Sequence, residues 1–535
     1  MPRILNLLNR NPSSRNYGSF DRDYWNYNSF DMSNARKQEA VLTLALMFLI
    51  RRKDNPYYDN EQVLEWINAA LEFTSKLQNK DGSFNEMYPN EHSFVATAFV
   101  CYALSETCLL LGSTIKSRKL VVDYLEKCGE WLLRNDEDMA LNQKAGSIIA
   151  LHNLYLLTKK SKYKFGAKKK LAEILKRQSK EGWFIEYGGV DIGYLSLSID
   201  YLAKYYKKAG DKRLLSSLKK ASDFVQYFAF PNLTFGGEVG SRNTEYLIPH
   251  GFELLSGKFH SAKAICNAIR NAIKEKTTIS PVAVDDRYLL FNGYSYLQAY
   301  RDGKKTMQSY DLFSKEFMNY FNEAGIFVKN VGGIYLVINI KKGGVAKITF
   351  NKNKSVIDGG SVIELRYGGR ASSNYLGKND KIVIEKENIE ITRKFIGIKG
   401  TALTPLSFLV FRAFQLTLGK SSFISKAARN FLRNKLIRQK NEMTDINFSR
   451  RFLFNDKGVS VIDDISPIKN IAGIIISSKL SFIFAESSRY FQLSDLESVP
   501  FYLDRELISK FLGNDKITFY RKYDEEGKLL GSKVV

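Results

Sequence analysis

Two stretches of the sequence repeat one pattern, a glycine-containing turn followed by a helix, at a constant offset in the numbering. The first copy, QNKDGSFNEMYPNEHSFVATAF, begins at Gln78, and the second, QSKEGWFIEYGGVDIGYLSLSIDYLAKYY, begins at Gln178. The matching pairs are Gln78/Gln178, Lys80/Lys180, Asp81/Glu181, Gly82/Gly182, Phe84/Phe184, Glu86/Glu186 and Glu91/Asp191. A turn-plus-helix unit that recurs at a fixed period indicates a repeat architecture, in which each unit buries its apolar face against its neighbours.

Helical periodicity extends over the first 323 residues or so, beyond a polar and aromatic N-terminal segment. Apolar residues recur there at three- and four-residue spacing, and the connections are short. The pattern predicts helices at about 36–52, 61–79, 93–112, 116–134, 139–159, 162–179, 190–208, 213–229, 244–256, 259–275, 284–302 and 312–323. Both an open solenoid and a closed ring of hairpins satisfy it. About six hairpins are what a closed α/α toroid requires, and closure would leave a cavity at one mouth.

The sequence changes character near Gly325, where β-branched, alternating and turn-punctuated segments begin. Many strands in succession without intervening helices favour an antiparallel sandwich, and 535 residues are too many for a single core. The expected fold class is therefore α+β with several domains. We predict an N-terminal arm, an (α/α) toroid of about six helical hairpins, and an antiparallel β-sandwich, at 1–35, 36–325 and 326–535.

A basic helical insertion is expected within the sandwich, at about 403–440. No Asp or Glu occurs between Ile391 and Asn441, and residues 421–440 have the pattern of a basic amphipathic helix. The net charge of +24 indicates an anionic partner or simply a basic soluble surface. We expect an anionic polysaccharide or oligosaccharide as the partner, and peripheral contact of 421–440 with an anionic membrane. Nucleic acid is not expected, and the oligomeric state is left open.

Cysteine usage and the N-terminus favour a cytoplasmic protein, with the inner membrane face as a second place of action. The four cysteines, Cys101, Cys108, Cys128 and Cys266, lie in helical segments without a CxxC pair, which is typical of buried thiols in a reducing compartment. The first residues contain too short an apolar run for a secretory signal. No stretch reaches the roughly 18 apolar residues of a membrane span.

Candidate site residues are scattered, because the sequence contains no HExxH, GxSxG, P-loop or GxGxxG motif in its proper context. We therefore expect no cofactor and no metal. Chemistry would have to come from polar groups gathered at one mouth of the helical ring. Four clusters qualify: Tyr88, Glu91 and His92; Tyr187, Asp191 and Tyr194; Arg242, Asn243, Tyr246 and His250; and, in the arm, Asp21 to Trp25, with Arg22 and Trp25.

Each cluster also has a structural interpretation. A histidine near an apolar helix is usually a hydrogen-bonded packing residue, which is the expectation for His152 and His260. Arg22 and Trp25 could simply anchor the arm. On a helix, Arg242, Tyr246 and His250 would have i, i+4, i+8 spacing, although Pro249 must kink or break that helix.

Three blocks, SFDRDYWNY, DIGYLSLSIDYL and SRNTEYLIPHGFELL, resemble those of heparinase II/III-like polysaccharide lyases. A helical ring followed by a sandwich also resembles that family over nearly the whole chain. The resemblance implies cleavage of uronic-acid polysaccharides by β-elimination, with Tyr and His as base and acid, helped by Asn or Arg. Donors such as Asn and Arg stabilise the enolate that develops when the proton beside a carboxylate is removed.

Carried over to this chain, the resemblance implies two groups of site residues. The catalytic group has Arg242 and Asn243 at the substrate carboxylate, His250 or His92 as base, and Tyr246 or Tyr194 as acid. The substrate-binding group consists of Tyr88, Trp183, Tyr187, Asp191, Arg22 and Trp25.

Two departures from the family bear on the substrate. Secreted members begin with a signal peptide, and some carry a metal-binding histidine in the sheet domain; this sequence has neither. We therefore expect an intracellular enzyme that acts on a saccharide under construction or imported as an oligomer.

Three alternatives remain open. The first is a uronate C5-epimerase, and the second is a toroidal glycoside hydrolase, which needs two carboxylates. The third is a non-catalytic glycan-binding scaffold. Carboxylates for the hydrolase could come from Glu186, Asp191, Glu238 and Glu245.

Overall fold

The computed structural model describes residues 1–304, 312–351, 354–377, 380–398, 404–436, 442–476, 490, 496, 501–511, 513 and 515–535. Within 404–436, the description of 429–430 and 432–436 is limited to the backbone. Residues 403 and 437–440 of the expected insertion lie outside the described residues.

The first 304 residues are helical. The helices are α1 Pro2–Leu7, α2 Arg22–Trp25, α3 Ala40–Leu49, α4 Glu61–Ser75, α5 Phe94–Leu111, α6 Arg118–Arg134, α7 Leu141–Thr158, α8 Ser161–Lys176, α9 Ile192–Ala209, α10 Arg213–Val225, α11 His250–Leu255, α12 His260–Glu275 and α13 Asp286–Asp302. Short 3-10 helices span Ala35–Glu39, Gly112–Thr114 and Gln226–Phe228.

Six of these helices form a closed ring. In chain order, α3, α5, α7, α9, α11 and α13 each pack against the next, and α13 packs against α3. Helices α4, α6, α8, α10 and α12 lie outside this ring, each against the inner helix that precedes it in the chain. Closure decides between the two architectures that the sequence left open, and the predicted α/α toroid is confirmed.

The inner helices α3, α5, α7 and α9 are buried on nearly all sides because they are enclosed by outer helices and by one another. Together with the following 3-10 turn, α5 forms the segment Phe94–Thr114, which is long and apolar enough to cross a membrane by length and composition alone. The expectation that no stretch reaches this length is therefore wrong. In this fold 83% of the segment's most apolar window is buried inside the protein. The segment is therefore the core of the ring.

The sequence repeat has a packing explanation. The side-chain amide of Gln78 donates to the carbonyl of Gly82 and to a backbone carbonyl of α6, at 3.1 and 2.8 Å. Gln178 makes the same pair of bonds, to Gly182 and to a carbonyl of α10, at 2.7 and 3.0 Å. Both glycines have positive φ, and a Cβ at either would meet a backbone carbonyl of the adjacent outer helix at 2.3–2.4 Å. The repeat thus fixes how each turn docks on the next outer helix.

The strands form two antiparallel sheets in the described residues. The smaller sheet has the order β1 Phe317–Phe321, β2 Ile326–Val331, β3 Ile334–Asn339, β4 Val345–Phe350 and β5 Lys354–Asp358. The larger contains β6 Ser361–Leu365, β7 Arg370–Ser372, β8 Lys381–Ile384, β9 Asn388–Ile398, β10 Met443–Asn455, β11 Gly458–Ser466, β12 Ile471–Ile476, β13 Phe501–Leu503, β14 Ile517–Asp524 and β15 Leu529–Val534. Its order is β13-β12-β6-β7-β9-β10-β11-β14-β15, with β8 paired to β9.

The smaller sheet lies between the toroid and the larger sheet. In β3, Leu336 and Ile338 pack into a core shared with Phe452 of the larger sheet. The alternate residues Tyr335 and Val337 belong to the core of the toroid. Contact on both faces leaves every residue of β3 and β4 buried, and the predicted sandwich is confirmed.

Two predicted helices are wrong in part. The predicted helix 312–323 is a 3-10 turn, Leu312–Ser314, followed by β1, which pairs antiparallel with β2. The predicted helix 244–256 is helical only over α11. Upstream, backbone amides are bound by side chains of α9 and its cap: Asp191 accepts from Thr244, and Ser196 accepts from Ile248. Those bonds replace a helical pattern.

The basic insertion consists of two helices, α14 Pro405–Leu416 and α15 Ser422–Leu436, and a short α16 Arg505–Ser509 follows near the end of the chain. The predicted limits of the arm, toroid and sandwich stay predictions. The ring helices end at Asp302, and the first strand begins at Phe317.

Candidate active site at the mouth of the helical ring

The inner helices α3, α5, α7, α9 and α13 begin at the same end of the ring, because each is joined to the next through an antiparallel segment. The short α11 begins deeper, at the level of Asp200 in the middle of α9. The loops that precede them form a mouth, and the second domain reaches it. The amide of Asn339 donates to the carbonyl of Val239 at 2.7 Å, and the ring of Phe411 in α14 lies 5.2 Å from that of Tyr88. The mouth therefore opens between the toroid and the sandwich.

Four tyrosines converge on one side of this mouth. Tyr194 and Tyr288 occupy the third position of α9 and α13, and their backbone amides are capped by Asp191 and Asp285, respectively. Tyr246 lies between these helices, 6.0 Å from the ring of Tyr288. The rings of Tyr288 and Tyr490 are 5.8 Å apart, and Tyr490 comes from the second domain. Tyr194 interacts electrostatically with each of the other three.

Burial governs the acidity of these phenols. Desolvation raises the pKa of Tyr246 and that of Tyr288 well above the usual tyrosine value, and neighbouring tyrosines raise both further. Both side chains therefore stay protonated at neutral pH and can serve as proton donors.

Arg242 and Asn243 lie beside the tyrosines on a loop that Asp191 holds. The carboxylate of Asp191 caps α9 and also accepts from the backbone amide of Arg242 at 3.0 Å and from the hydroxyl of Thr244. The guanidinium of Arg242 lies 4.6 Å from the centre of the Tyr187 ring. Asn243 has a φ of 55°. The predicted clusters around residues 191 and 242 are thus brought together by the Asp191 carboxylate.

A cluster of arginine and glutamate side chains lies where α3, α5 and α13 begin. Arg36 is bound by Glu39 at 2.7 Å and lies 3.6 Å from Glu86, which is also 3.6 Å from Arg287. Burial raises the pKa of Glu39 to about 7, although the charge of Arg36 opposes this shift. Two arginines and two carboxylates thus form a partly buried ion network at this side of the mouth.

His92 borders the mouth at the start of α5, in the left-handed region with a φ of 49°. Its Nδ1 lies 2.8 Å from a carboxylate oxygen of Asp81 and 2.9 Å from the hydroxyl of Ser83. Hydrogen bonds from His92 and Ser83 outweigh desolvation and lower the pKa of Asp81 to about 2. In the ring order, α5 is opposite α11, so His92 lies across the mouth from the segment that carries Tyr246.

His250 is placed away from the mouth. Its Nε2 lies 2.7 Å from Asp302 in the last turn of α13, and its Nδ1 lies 3.9 Å from Asp200 in the middle of α9. Tyr288 is in the first turn of α13, about 20 Å from Asp302 along the helix axis at ~1.5 Å per residue. Burial lowers the pKa of His250, so the ring is neutral at pH 7.

Most of the expected substrate-binding residues outside these clusters have structural partners. Arg22 and Trp25 donate to the carbonyls of Asn6 and Leu7 and so tie two segments of the arm, α1 and α2, together. Trp183 donates to Glu181 at 2.9 Å. Tyr88 lies under α14, as described above.

Sequence reasoning missed Tyr288, Tyr490, Arg36 and Arg287. A signal for Tyr288 was present, because the pattern Asp-x-x-Tyr at 191–194 recurs at 285–288. An aspartate that caps a helix places the tyrosine three residues later at the same depth of the ring. Tyr490 had no comparable signal.

Two of the carboxylates considered for a hydrolase are already engaged in structural hydrogen bonds. Asp191 holds the 242–244 loop, and Glu186 accepts from the backbone and side-chain amides of Asn142 at 2.9 and 2.7 Å at the start of α7. Burial raises the pKa of Glu186 to about 8. Within the described ranges, no group of three or more His, Cys, Asp or Glu residues is placed to hold a metal ion.

A closed ring of helical hairpins, followed by an antiparallel sandwich that borders its mouth, defines the toroid class of polysaccharide-lyase folds. Residues 24–247 match the family model of the ulvan lyase N-terminal domain. The expected resemblance to toroid polysaccharide lyases is therefore confirmed, by this match over the helical region and by the fold. No curated protein matches the sequence.

Solved structures show the same fold at low sequence identity. The chondroitin AC lyase of Streptomyces coelicolor A3, in complex with chondroitin sulphate, is 10% identical with a TM-score of 0.55, over 83% of this chain and 63% of that one. A Paenibacillus xanthan lyase is 11% identical with a TM-score of 0.51, over 89% of this chain and 45% of that one. The chain thus spans less than two thirds of the first two enzymes.

Proposed function

We propose that the protein is a polysaccharide lyase that cleaves uronic-acid-containing glycans by β-elimination at the mouth of the toroid. The observation that carries this proposal is the convergence of Tyr194, Tyr246 and Tyr288 beside the loop of Arg242, at the point where the second domain meets the ring. The toroid-lyase fold and the ulvan lyase match support it.

The chemistry needs three groups at adjacent atoms of one sugar. Arg242, with Asn243 beside it, neutralises the uronate carboxylate and so makes the C5 proton more acidic. A base removes that proton, the C5 electron pair forms a C4–C5 double bond, and the C4–O bond breaks. An acid then protonates the departing glycosidic oxygen.

Tyr246 and Tyr194 fit the last two roles best. Base and acid must reach neighbouring atoms. Tyr194 and Tyr246 interact with each other, and Asp191 ties the backbone of Arg242 to the first turn of the helix that carries Tyr194. His92 lies across the ring, and His250 pairs with Asp302 in the last turn of α13. We assign Tyr246 as the acid, because its buried phenol stays protonated, and Tyr194 as the base.

A C5-epimerase would begin with the same proton abstraction and end with reprotonation, so only the product separates the two. The hydrolase is less well supported, because Asp191 and Glu186 are occupied in capping helices. A non-catalytic glycan-binding scaffold would give neither product.

The test is incubation with a panel of uronate polymers that includes ulvan, chondroitin sulphate and xanthan, with ultraviolet absorbance reporting an unsaturated product. We expect a signal that falls about a hundredfold or more in Tyr246→Phe and Tyr194→Phe. The exposed Tyr58→Phe is the matched control. Solvent deuterium incorporated without absorbance would identify an epimerase. A signal that survives both substitutions would refute the assignment of the tyrosines.

The partner and location belong to the same proposal. We propose that the enzyme works in the cytoplasm or at the inner membrane face, and that residues 421–440 contact anionic lipid. Supporting this are the four cysteines, which are free and buried, and the absence of any acidic residue between Ile391 and Asn441.

A further inference from the structure

The outer side of α14 exposes large apolar side chains. Leu406, Leu409 and Leu416 are 72, 65 and 48% exposed, and Val410 is 63% exposed. The three leucines recur at helical spacing, so they form one stripe along the helix. The next helix begins with Phe423, which is 81% exposed. A stripe of exposed large apolar side chains indicates a contact surface.

The opposite side of the same hairpin is anchored on the toroid mouth. The amide of Asn90 donates to the carbonyl of Gln415 at 3.0 Å, and the hydroxyl of Ser425 donates to the carbonyl of Asn90 at 2.7 Å. Arg412 is 3.3 Å from Asp31 of the N-terminal arm. One side of the hairpin is therefore fixed on the mouth, and the exposed stripe lies on its other side.

Charge decides what can cover this stripe. The segment 404–436 contains six Lys or Arg and no Asp or Glu. A second copy of the chain would bring the same cations to the interface, which opposes self-association. A polysaccharide would not recognise leucine and valine side chains. A bilayer with anionic headgroups satisfies both features, because apolar side chains enter the acyl boundary while lysine and arginine contact the headgroups.

We propose that α14 is a membrane-inserting helix, and that its insertion turns the toroid mouth towards the bilayer. This inference rests on the membrane contact in the proposed function and goes beyond it in two respects. It assigns insertion to 405–416, outside 421–440, and it fixes the orientation. The substrate cleaved there would be a glycan held close to the lipid surface.

The first experiment measures co-sedimentation of the full-length protein with phosphatidylcholine vesicles, with and without phosphatidylglycerol. We expect binding only with the anionic lipid. Leu409→Ser combined with Val410→Ser should weaken vesicle binding at least tenfold, because each substitution removes an aliphatic side chain that the bilayer would bury. Phe165→Ser, at a residue 66% exposed on α8, is the control and should bind like the wild type.

The second experiment measures orientation by energy transfer to an acceptor in the lipid. The four native cysteines are buried, so single cysteines can be labelled at Met87, in the mouth loop, and at Leu120, at the start of α6 on the opposite end of the ring. Both positions are exposed. We expect strong transfer from Met87→Cys and weak transfer from Leu120→Cys.

The outcomes separate the inference from the proposed lyase. Unchanged vesicle binding in the Leu409/Val410 variant, equal transfer from the two labels, or a dimer that this variant dissociates would each overturn it. Activity on soluble polymer would still stand, since these side chains are outside the proposed catalytic group. A wild-type protein that binds the vesicles but shows no lyase activity would instead refute the proposed function alone.

Discussion

The ammonium group of Lys342 donates a 2.5 Å hydrogen bond to the side-chain oxygen of Asn243, and so joins the sandwich to the loop that carries Arg242. The same ammonium binds the carbonyls of Glu238 and Gly240 at 2.7 and 2.9 Å. Lys342 is completely buried. The second domain therefore holds the candidate catalytic loop in place.

Replacing Lys342 with Met should damage stability and activity together. The change leaves three buried oxygen atoms without this donor, at a cost of about 3 kcal/mol in the free energy of unfolding. Urea unfolding and the absorbance assay measure the two effects. Lys381→Met in the exposed strand β8 is the control. Normal stability and normal activity in Lys342→Met would show that the loop of Arg242 keeps its position without Lys342.

Substituting Arg242 with Lys tests recognition of the uronate carboxylate. Lysine keeps the charge but loses the planar fork and the stacking on Tyr187. We expect kcat/KM to fall about tenfold to a hundredfold, mainly through KM. The exposed Arg52→Lys should behave like the wild type, and an unchanged kcat/KM in Arg242→Lys would remove Arg242 from the site.

His250→Gln separates a structural role from the catalytic role that the sequence suggested. Its bond to Asp302 is buried, so its loss should lower the free energy of unfolding by about 2 kcal/mol. Because His250 lies far from the tyrosines, kcat of the folded variant should be unchanged. A large fall in kcat with normal stability would restore His250 as the base.

Glu186→Gln should alter the pH dependence of stability. The folded-state pKa of Glu186 is raised to about 8 by burial, and an unfolded glutamate titrates near ~4.3. Its contribution is therefore fully present below the unfolded pKa and is lost as pH rises through about 8. Thermal unfolding between these values should show a stability loss in the wild type of at most about 1.4 kcal/mol per pH unit.

The glutamine variant should lack that part of the slope, and Glu61→Gln at the start of α4 should keep it. Equal slopes in the wild type and in Glu186→Gln would mean that Glu186 is already ionised in the folded protein.

Local patterns in the sequence were sufficient for the helices, the strands and their class. The recurrence of Gln78 and Gly82 at Gln178 and Gly182 predicted equivalent turns, because each must dock on an outer helix. The predictions failed where tertiary partners take over the backbone. Residues 244–249 look helical by periodicity, but Asp191 and Ser196 bind backbone amides there, and 317–321 pairs with β2.

The sequence by itself determined that hairpins stack, that strands follow, and that the mouth loops carry tyrosine, arginine and histidine, because periodicity and turn chemistry are local properties. Only the tertiary structure decided that the ring closes, since closure depends on α13 meeting α3. It also decided which candidates meet, bringing Tyr194, Tyr246 and Tyr288 together while His250 pairs with Asp302. Contacts between residues distant in the chain have no periodicity, so the repeat could locate the mouth but not its chemistry.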